Sequence, residues 1–141
     1  MLRLFFLPVL ALAAACISPA SAASCNGADP AIVSVSVANV TTEGALNRYH
    51  FTGRVTNLGN RAQPSNVLQF VDIYQNGVRK DDRGIPPLRP GQSYSFGYDY
   101  LRSTDAGAGT SRLRFRIRMR QPAGQSSQDC NIGNDSYVVR F

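Results

Sequence analysis

The sequence has few of the residue types and motifs on which catalysis and metal binding usually depend. It contains one histidine, His50, and no G-x-S-x-G, H-E-x-x-H or glycine-rich phosphate-binding motif. Its three cysteines form no C-x-x-C pair, which argues against thiol–disulfide catalysis and structural zinc. No acid–base pair or activated nucleophile can be assembled from the sequence. We therefore expect a protein that is not an enzyme and has no cofactor.

Sustained helical periodicity is also missing, as are internal repeats and linkers. Apolar and polar residues instead alternate in short runs between turn residues, the pattern of strands buried on one face. Asn76-Gly77 predicts a tight hairpin, because both residues tolerate a positive φ angle. The predicted strands cover residues 31–40, 47–57, 66–75, 78 to about 83, 92–101, 111–121 and 136–141. This pattern predicts an all-β fold, a seven-stranded antiparallel immunoglobulin-like β-sandwich.

No apolar segment reaches the roughly 20 residues that a membrane span needs. The apolar run Leu4–Cys16 follows Arg3 and precedes small residues, with Ala20 and Ala22 at positions suited to signal-peptidase cleavage. We predict a signal peptide over residues 1–22, one domain over residues 23–141, and export to the periplasm or the medium. The alternative is a lipoprotein anchored through Cys16, since small residues also precede that cysteine.

Two cysteines, Cys25 and Cys130, would remain in the exported chain, near its two ends. In an oxidising compartment such an isolated pair predicts one disulfide, with two free thiols as the alternative. The bridge would close a loop of about 100 residues, worth roughly 4–5 kcal/mol in the chain-entropy model.

Four short motifs follow one another in an order that resembles the CARDB domain, the bacterial cell-adhesion-related domain. They are VTNLGN at residues 55–60, VDIYQNG at 71–77, IPPLRPGQS at 85–93 and DCNIGND at 129–135. The resemblance covers about residues 29–141. It implies a non-catalytic sandwich exported by a bacterium, used for binding or cell adhesion in periplasmic or surface proteins. The family's D-E-x-N-N ending corresponds here to Asp129, Cys130, Asn131, Asn134 and Asp135, with the cysteine inserted.

Arginine occupies every second position in SRLRFRIRMRQ, residues 111–121. On a strand these side chains share one face, because successive residues point to opposite sides. The outward residues are then Arg112, Arg114, Arg116, Arg118 and Arg120. The inward residues are Leu113, Phe115, Ile117 and Met119. Arg140 is predicted to add a sixth positive charge, and Asp72 to face the row from a neighbouring strand.

Two hypotheses explain this arginine row. It is either a solvated outer face, on which long side chains cover apolar surface, or a binding surface for an acidic ligand. Suitable ligands are lipopolysaccharide, an acidic glycan or an acidic protein, because guanidinium groups bind phosphate and carboxylate bidentately. Nucleic acid is the least favoured, since Phe115 is predicted to point away from the arginines. A further alternative is an accessory subunit that pairs with a partner by β-strand addition.

Two other groups of side chains are first interpreted as structural: one is predicted to pack in the core, and the other to form a turn. Aromatic residues at period two predict core packing, with a carbohydrate-stacking face that includes Tyr74 as the alternative. These residues are Tyr94, Phe96, Tyr98 and Tyr100. Oxygen donors before the last strand predict an Asx-type turn, with a calcium site as the alternative. These donors are Asp129, Asn131, Asn134 and Asp135.

The remaining expectations concern single side chains. His50 is expected at the surface, on the polar face of its strand. The residues predicted to be buried are Phe51, Val55, Val71, Ile73, Phe96, Leu113, Phe115, Ile117 and Val139.

Overall fold

Two antiparallel sheets pack face to face in the computed structural model, which describes residues 25–105, 111–121 and 129–141. The strands are β1 (Pro30–Glu43), β2 (Leu46–Asn57), β3 (Leu68–Gln75), β4 (Val78–Ile85), β5 (Ser93–Ser103), β6 (Arg112–Arg120) and β7 (Ser136–Arg140). A three-stranded sheet has the order β1-β2-β5, and a four-stranded sheet has the order β4-β3-β6-β7. The predicted fold class is confirmed. The predicted signal peptide and Cys16 lie outside the described residues.

The core lies between the sheets and is built by the inward residue of each alternating pair. Eight of the nine residues predicted to be buried are buried, and Val139 is partly buried against the same cluster. Phe115 lies at the centre, with ring centroids 6.2 Å from Phe51 and 5.9 Å from Phe96. The period-two pattern therefore assigned the faces of the strands correctly.

The predicted tyrosine face packs into this core for most of its length. Phe96 is buried, and Tyr98 and Tyr100 are half-buried against the core cluster. Tyr94, at the start of β5, is 39% exposed. Tyr74 points outward from the other sheet, where Arg114 covers its ring. The structure thus separates Tyr74 from the tyrosines with which it would have formed a carbohydrate-stacking face.

Two local predictions are confirmed at the ends of the sandwich. Asn76 and Gly77 form the turn between β3 and β4 with φ angles of 51° and 81°, which explains the choice of Asn-Gly. Cys25 and Cys130 form a disulfide with their Cα atoms 5.8 Å apart. This bridge joins the segment before β1 to the segment before β7, next to a backbone bridge between Ala28 and Asp129.

Candidate anion-binding face

The arginine row lies on the outer surface of the four-stranded sheet. We call this surface the arginine face, presented by Arg112, Arg114, Arg116, Arg118 and Arg120 of β6 and by Arg140 of β7. The residues between the arginines turn inward, and Leu113 and Phe115 are fully buried. β6 lies inside its sheet, between β3 and β7, so the row runs along the middle of the surface.

One of these arginines belongs to an internal ion pair. Asp72 of β3 faces the row, as predicted, and is only 1% exposed. Its carboxylate accepts hydrogen bonds from Arg118 Nε at 2.7 Å and Nη2 at 3.0 Å, and from Arg79 Nε at 3.0 Å. Burial acts to raise the pKa of Asp72, but the hydrogen bonds and charge of Arg118, then those of Arg79, outweigh it and lower the pKa. Arg118 therefore has a structural role, and its spacing in the sequence does not distinguish it from the other arginines of β6.

The other arginines of the face have looser surroundings. Arg114 lies over the ring of Tyr74, with its guanidinium carbon 4.8 Å from the ring centroid. Within the described residues, no salt bridge is formed by Arg112, Arg116, Arg120 or Arg140, all of which are exposed. Four of the six positive charges thus point to solvent, with no carboxylate of the described residues in contact.

Two depressions on the arginine face differ in their charge. A cleft of about 340 Å³ has carboxylates in its lining as well as arginines: Asp72, Arg116, Arg118, Asp129 and Asp135. A smaller pocket of about 200 Å³ lies at the opposite end of β6. Its lining has arginines but no acid: Tyr74, Asn76, Gly77, Arg112 and Arg114. The smaller pocket is therefore lined by positive charge alone, whereas the larger cleft contains both signs of charge.

The predicted oxygen donors before β7 form a tight turn. Asn131 is the N-cap of a 3₁₀ turn, Ile132–Asn134, and its Oδ1 accepts a hydrogen bond from Gly133 N at 3.2 Å. The Asn134 amide donates to Asp29 Oδ1 at 2.9 Å. Among the described residues, no group of three or more His, Cys, Asp or Glu side chains is arranged to hold a metal ion. The side chain of Asn131 thus forms the predicted Asx-type turn.

Asp135 is the most perturbed acid of this turn. Burial, followed by a hydrogen bond with Asp129 and the charge of Asp129, raises the pKa of Asp135 to about 8. Arg116 opposes this shift, and Asp29 adds to it. Burial and the neighbouring carboxyl group of Asp129 therefore both favour the protonated form of Asp135.

Asp135 should make the protein less stable as the pH rises from about 4 to about 8. Its carboxyl keeps a proton in the folded state at pH values where the unfolded chain has lost it, so the free energy of unfolding falls across this window. Asp135→Asn should remove this loss and be more stable than the wild type at pH 8, by about 1–2 kcal/mol. Urea unfolding at several pH values measures the effect.

The matched control for this experiment is Asp105→Asn, which changes an exposed aspartate at the end of β5. If Asp135→Asn and Asp105→Asn follow the same stability curve from pH 4 to pH 8, Asp135 is an ordinary ionised carboxylate.

His50 lies at the surface as expected, but its partners could not be predicted from the sequence. His50 Nδ1 is 2.7 Å from Asp99 Oδ1, and Nε2 is 3.3 Å from Thr41 Oγ1. The acid is 49 residues away in the chain and becomes a neighbour through the pairing of β2 with β5. This set lies on the exposed outer surface of the three-stranded sheet, and neither described pocket contains any of its residues.

The fold is similar to that of solved CARDB domains. The crystal structure of the CARDB domain of a Pyrococcus furiosus protein, in complex with di-metal ions, has a TM-score of 0.59 at 17% identity. The match covers 85% of this chain and 91% of that chain. An NMR structure of a Pyrococcus furiosus CARDB domain has a TM-score of 0.55 at 18% identity, over 82% and 94% of the two chains. A domain of a Methanosarcina acetivorans protein, named as a cell surface protein, has a TM-score of 0.50 at 18% identity, over 80% and 89%.

These similarities show that the chain has the β-sandwich fold of CARDB domains, which confirms the resemblance at the level of the fold. No family model matches the sequence, and no curated protein matches it. In the part of the chain that the structure describes, no helix is long and apolar enough to cross a membrane.

Proposed function

We propose that this protein is an exported, non-catalytic binding module that binds an acidic ligand through the arginine face. The observation that carries the proposal is the set of exposed arginines, Arg112, Arg116, Arg120 and Arg140, without a salt-bridge partner in the described residues. Like charges on neighbouring positions of a sheet repel, so the isolated fold gains nothing from this arrangement. An acidic ligand supplies the compensating charge, and the guanidinium fork binds phosphate or carboxylate bidentately.

The sequence around the arginine face favours the same conclusion. Residues 106–110 and 122–128, the segments before and after β6, contain no aspartate or glutamate. The whole chain has a net charge of +6, so long-range attraction also brings acidic ligands toward it. The fitting ligand classes are lipopolysaccharide, acidic glycans and acidic proteins.

Nucleic acid is less well matched than these ligands. Binding of single strands relies on aromatic rings on which bases can stack. The two aromatic rings that point outward from β3 are both covered, Tyr74 by Arg114 at 4.8 Å and Phe70 by Arg118 at 4.6 Å. The arginine face therefore offers charge but no free stacking platform on that strand.

Export is the second part of the proposal. It is supported by the signal-peptide pattern of residues 1–22 and by the disulfide between Cys25 and Cys130, which an oxidising compartment maintains. Lipid attachment at Cys16 is the alternative, and intact mass of the exported protein distinguishes the two: it would begin at Ala23 or carry a lipid at Cys16.

Binding through a sheet edge is less well supported. Arg83 of the edge strand β4 donates from Nε to the carbonyl oxygen of Gly97 on the edge strand β5, at 2.9 Å. Its guanidinium carbon also lies 5.8 Å from the ring centroid of Tyr98. Arg83 thus occupies a backbone acceptor that an added strand would use, which disfavours β-strand addition at this edge.

The triple variant Arg112→Thr, Arg116→Thr, Arg120→Thr should elute from immobilised heparin at clearly lower salt than the wild type. Attraction between the arginine face and a polyanion is screened by salt, and the variant loses three of its charges. Arg118 is left unchanged, because removing it would leave the buried Asp72 without its main partner.

The control has the same net charge as the variant: Arg54→Thr, Arg61→Thr, Arg89→Thr. These three arginines are exposed and lie off the arginine face. If the two triple variants elute at the same salt concentration, retention depends on net charge alone and the arginine face is not a binding surface.

A divalent cation at the turn before β7 is a second candidate ligand. Asn134 Oδ1 and Asp135 Oδ1 are buried and accept no hydrogen bond within the described residues. Buried oxygens of this kind are usually satisfied by a donor or a cation. One of the similar solved domains is described in complex with di-metal ions.

If a cation binds at this turn, calcium should raise the melting temperature of the wild type and leave that of Asp135→Asn unchanged. No rise in the melting temperature of the wild type would exclude this site.

A further inference from the structure

Arg112 and Arg140 are directly opposite each other on β6 and β7. The adjacent pair, Ser111 and Phe141, exchanges two backbone hydrogen bonds of 2.9 and 3.1 Å. Hydrogen-bonded and non-hydrogen-bonded pairs alternate along antiparallel strands, so Arg112 and Arg140 form a non-hydrogen-bonded pair. In such a pair the Cα atoms are only about 4.5 Å apart and the side chains are close. The pairing register therefore places two arginine side chains next to each other at one end of the arginine face.

Two like charges directly opposite each other destabilise a sheet. Elsewhere on the arginine face, an acid relieves the repulsion, since Arg118 binds Asp72. No carboxylate of the described residues contacts Arg112 or Arg140. The Arg112–Arg140 pair is thus the place where the face most needs an external anion.

A third arginine completes the surroundings of this pair. Arg114 is the next outward residue of β6, about 6.8 Å further along the strand. Its position over the Tyr74 ring of β3 orients it, and it lines the pocket of about 200 Å³ together with Arg112, while Arg140 lies beside Arg112 on the other side, on β7.

We propose that Arg112, Arg114 and Arg140 form a subsite for a single phosphate monoester group. This inference rests on the proposed function of the arginine face and narrows it to one end of the face and one kind of group. A phosphate monoester carries close to two negative charges at pH 7 and has three acceptor oxygens, so it can bind three guanidinium groups at once. A carboxylate or a sulfate ester carries one charge and compensates the pair only partly.

The test is calorimetric titration with three small probes: phenyl phosphate, phenyl sulfate and benzoate. Phenyl phosphate should bind to the wild type most tightly. Arg112→Thr and Arg140→Thr should each weaken it about tenfold, the usual effect of losing hydrogen bonds to a charged group. The control, Arg120→Thr, removes an arginine from the same strand and face at the opposite end, and should change the affinity less than about twofold.

Equal weakening by Arg120→Thr and Arg140→Thr would overturn the subsite, and so would equal affinity for phenyl sulfate and phenyl phosphate. Either result leaves the proposed function intact if heparin retention still depends on the arginine face. Loss of that dependence would instead refute the proposed function itself. Thermal melting of each variant confirms that it is folded, and Arg140→Lys, which keeps the charge but not the fork, should weaken phenyl phosphate by an intermediate amount.

The phosphate monoester could be carried by a soluble molecule or by a lipid. Flotation with phosphatidylcholine vesicles, with and without phosphatidic acid, distinguishes these sources. Binding only to vesicles that contain phosphatidic acid, abolished by Arg140→Thr, would support a lipid-borne group. Binding of phenyl phosphate without vesicle binding would support a soluble one. Equal binding to both kinds of vesicle would overturn phosphate recognition.

Discussion

Replacing Asn57 by alanine should destabilise the protein by about 3–4 kcal/mol, because this side chain joins three loops in the interior. Asn57 is fully buried. Its Oδ1 accepts hydrogen bonds from Asp29 N and Gly59 N, both at 3.0 Å. Its Nδ2 donates to the carbonyl oxygens of Arg61 at 2.8 Å and Leu88 at 2.9 Å. Alanine would leave three of these backbone groups without a partner, whereas the Leu88 carbonyl would keep a hydrogen bond from a neighbouring backbone amide.

Urea unfolding measures this loss, and Asn60→Ala is the matched control. Asn60 is an exposed asparagine in the same loop, so its replacement should change the free energy of unfolding by no more than about 0.5 kcal/mol. A similar small change for Asn57→Ala would mean that the loops hold together without this side chain.

The hydrogen bonds of Asn57 explain two of the motifs on which the CARDB resemblance depends. VTNLGN contains Asn57 together with Gly59, where a Cβ atom would collide with the carbonyl oxygen of Gly27. IPPLRPGQS contains Leu88, which accepts from Asn57, and Gly91, whose amide donates to the Asn57 carbonyl at 2.8 Å. The two motifs therefore belong to one buried hydrogen-bond network, although in the sequence they look like two separate turns.

The strands and their faces were predictable because alternation is a local property of the chain. Arg114, Arg116 and Arg118 look equivalent in the sequence, since each is an arginine between two apolar residues. Their different roles arise from β3, which places Asp72 within reach of Arg118 and Tyr74 beneath Arg114. The partners depend on strand order and register, and these are fixed only by the packing of the whole sandwich.

Strand order and register also explain why the clusters of charged side chains could not be predicted from the sequence. His50 and Asp99 are 49 residues apart and meet because β2 pairs with β5. The Arg112–Arg140 pair requires both the order β6-β7 and its register. By contrast, the turn around Asn131 was predictable, because an asparagine side chain that bonds the backbone two residues later is a local interaction.

Phe115→Ala should destabilise the protein by about 3–5 kcal/mol, the usual range for removing a large aromatic side chain from a core. Phe115 is fully buried on β6 and contacts aromatic rings of the opposite sheet. Its ring centroid is 6.2 Å from that of Phe51, 5.9 Å from Phe96 and 6.4 Å from Tyr98. Removing the ring opens a cavity between the sheets that these neighbours can fill only partly. Chemical unfolding monitored by tyrosine fluorescence measures the loss.

Phe70→Ala is the matched control for Phe115→Ala, because it removes the same side chain from the outer surface of the neighbouring strand. Phe70 pairs with Arg118 across the strands, and its ring is covered by the guanidinium group at 4.6 Å. Its loss should cost about 1 kcal/mol, since one cation–π contact and part of the buried apolar surface disappear. If Phe70→Ala were the more damaging change, the core would lie on the arginine side of the four-stranded sheet. The arginines would then be the inward residues, and the binding surface proposed for them could not exist.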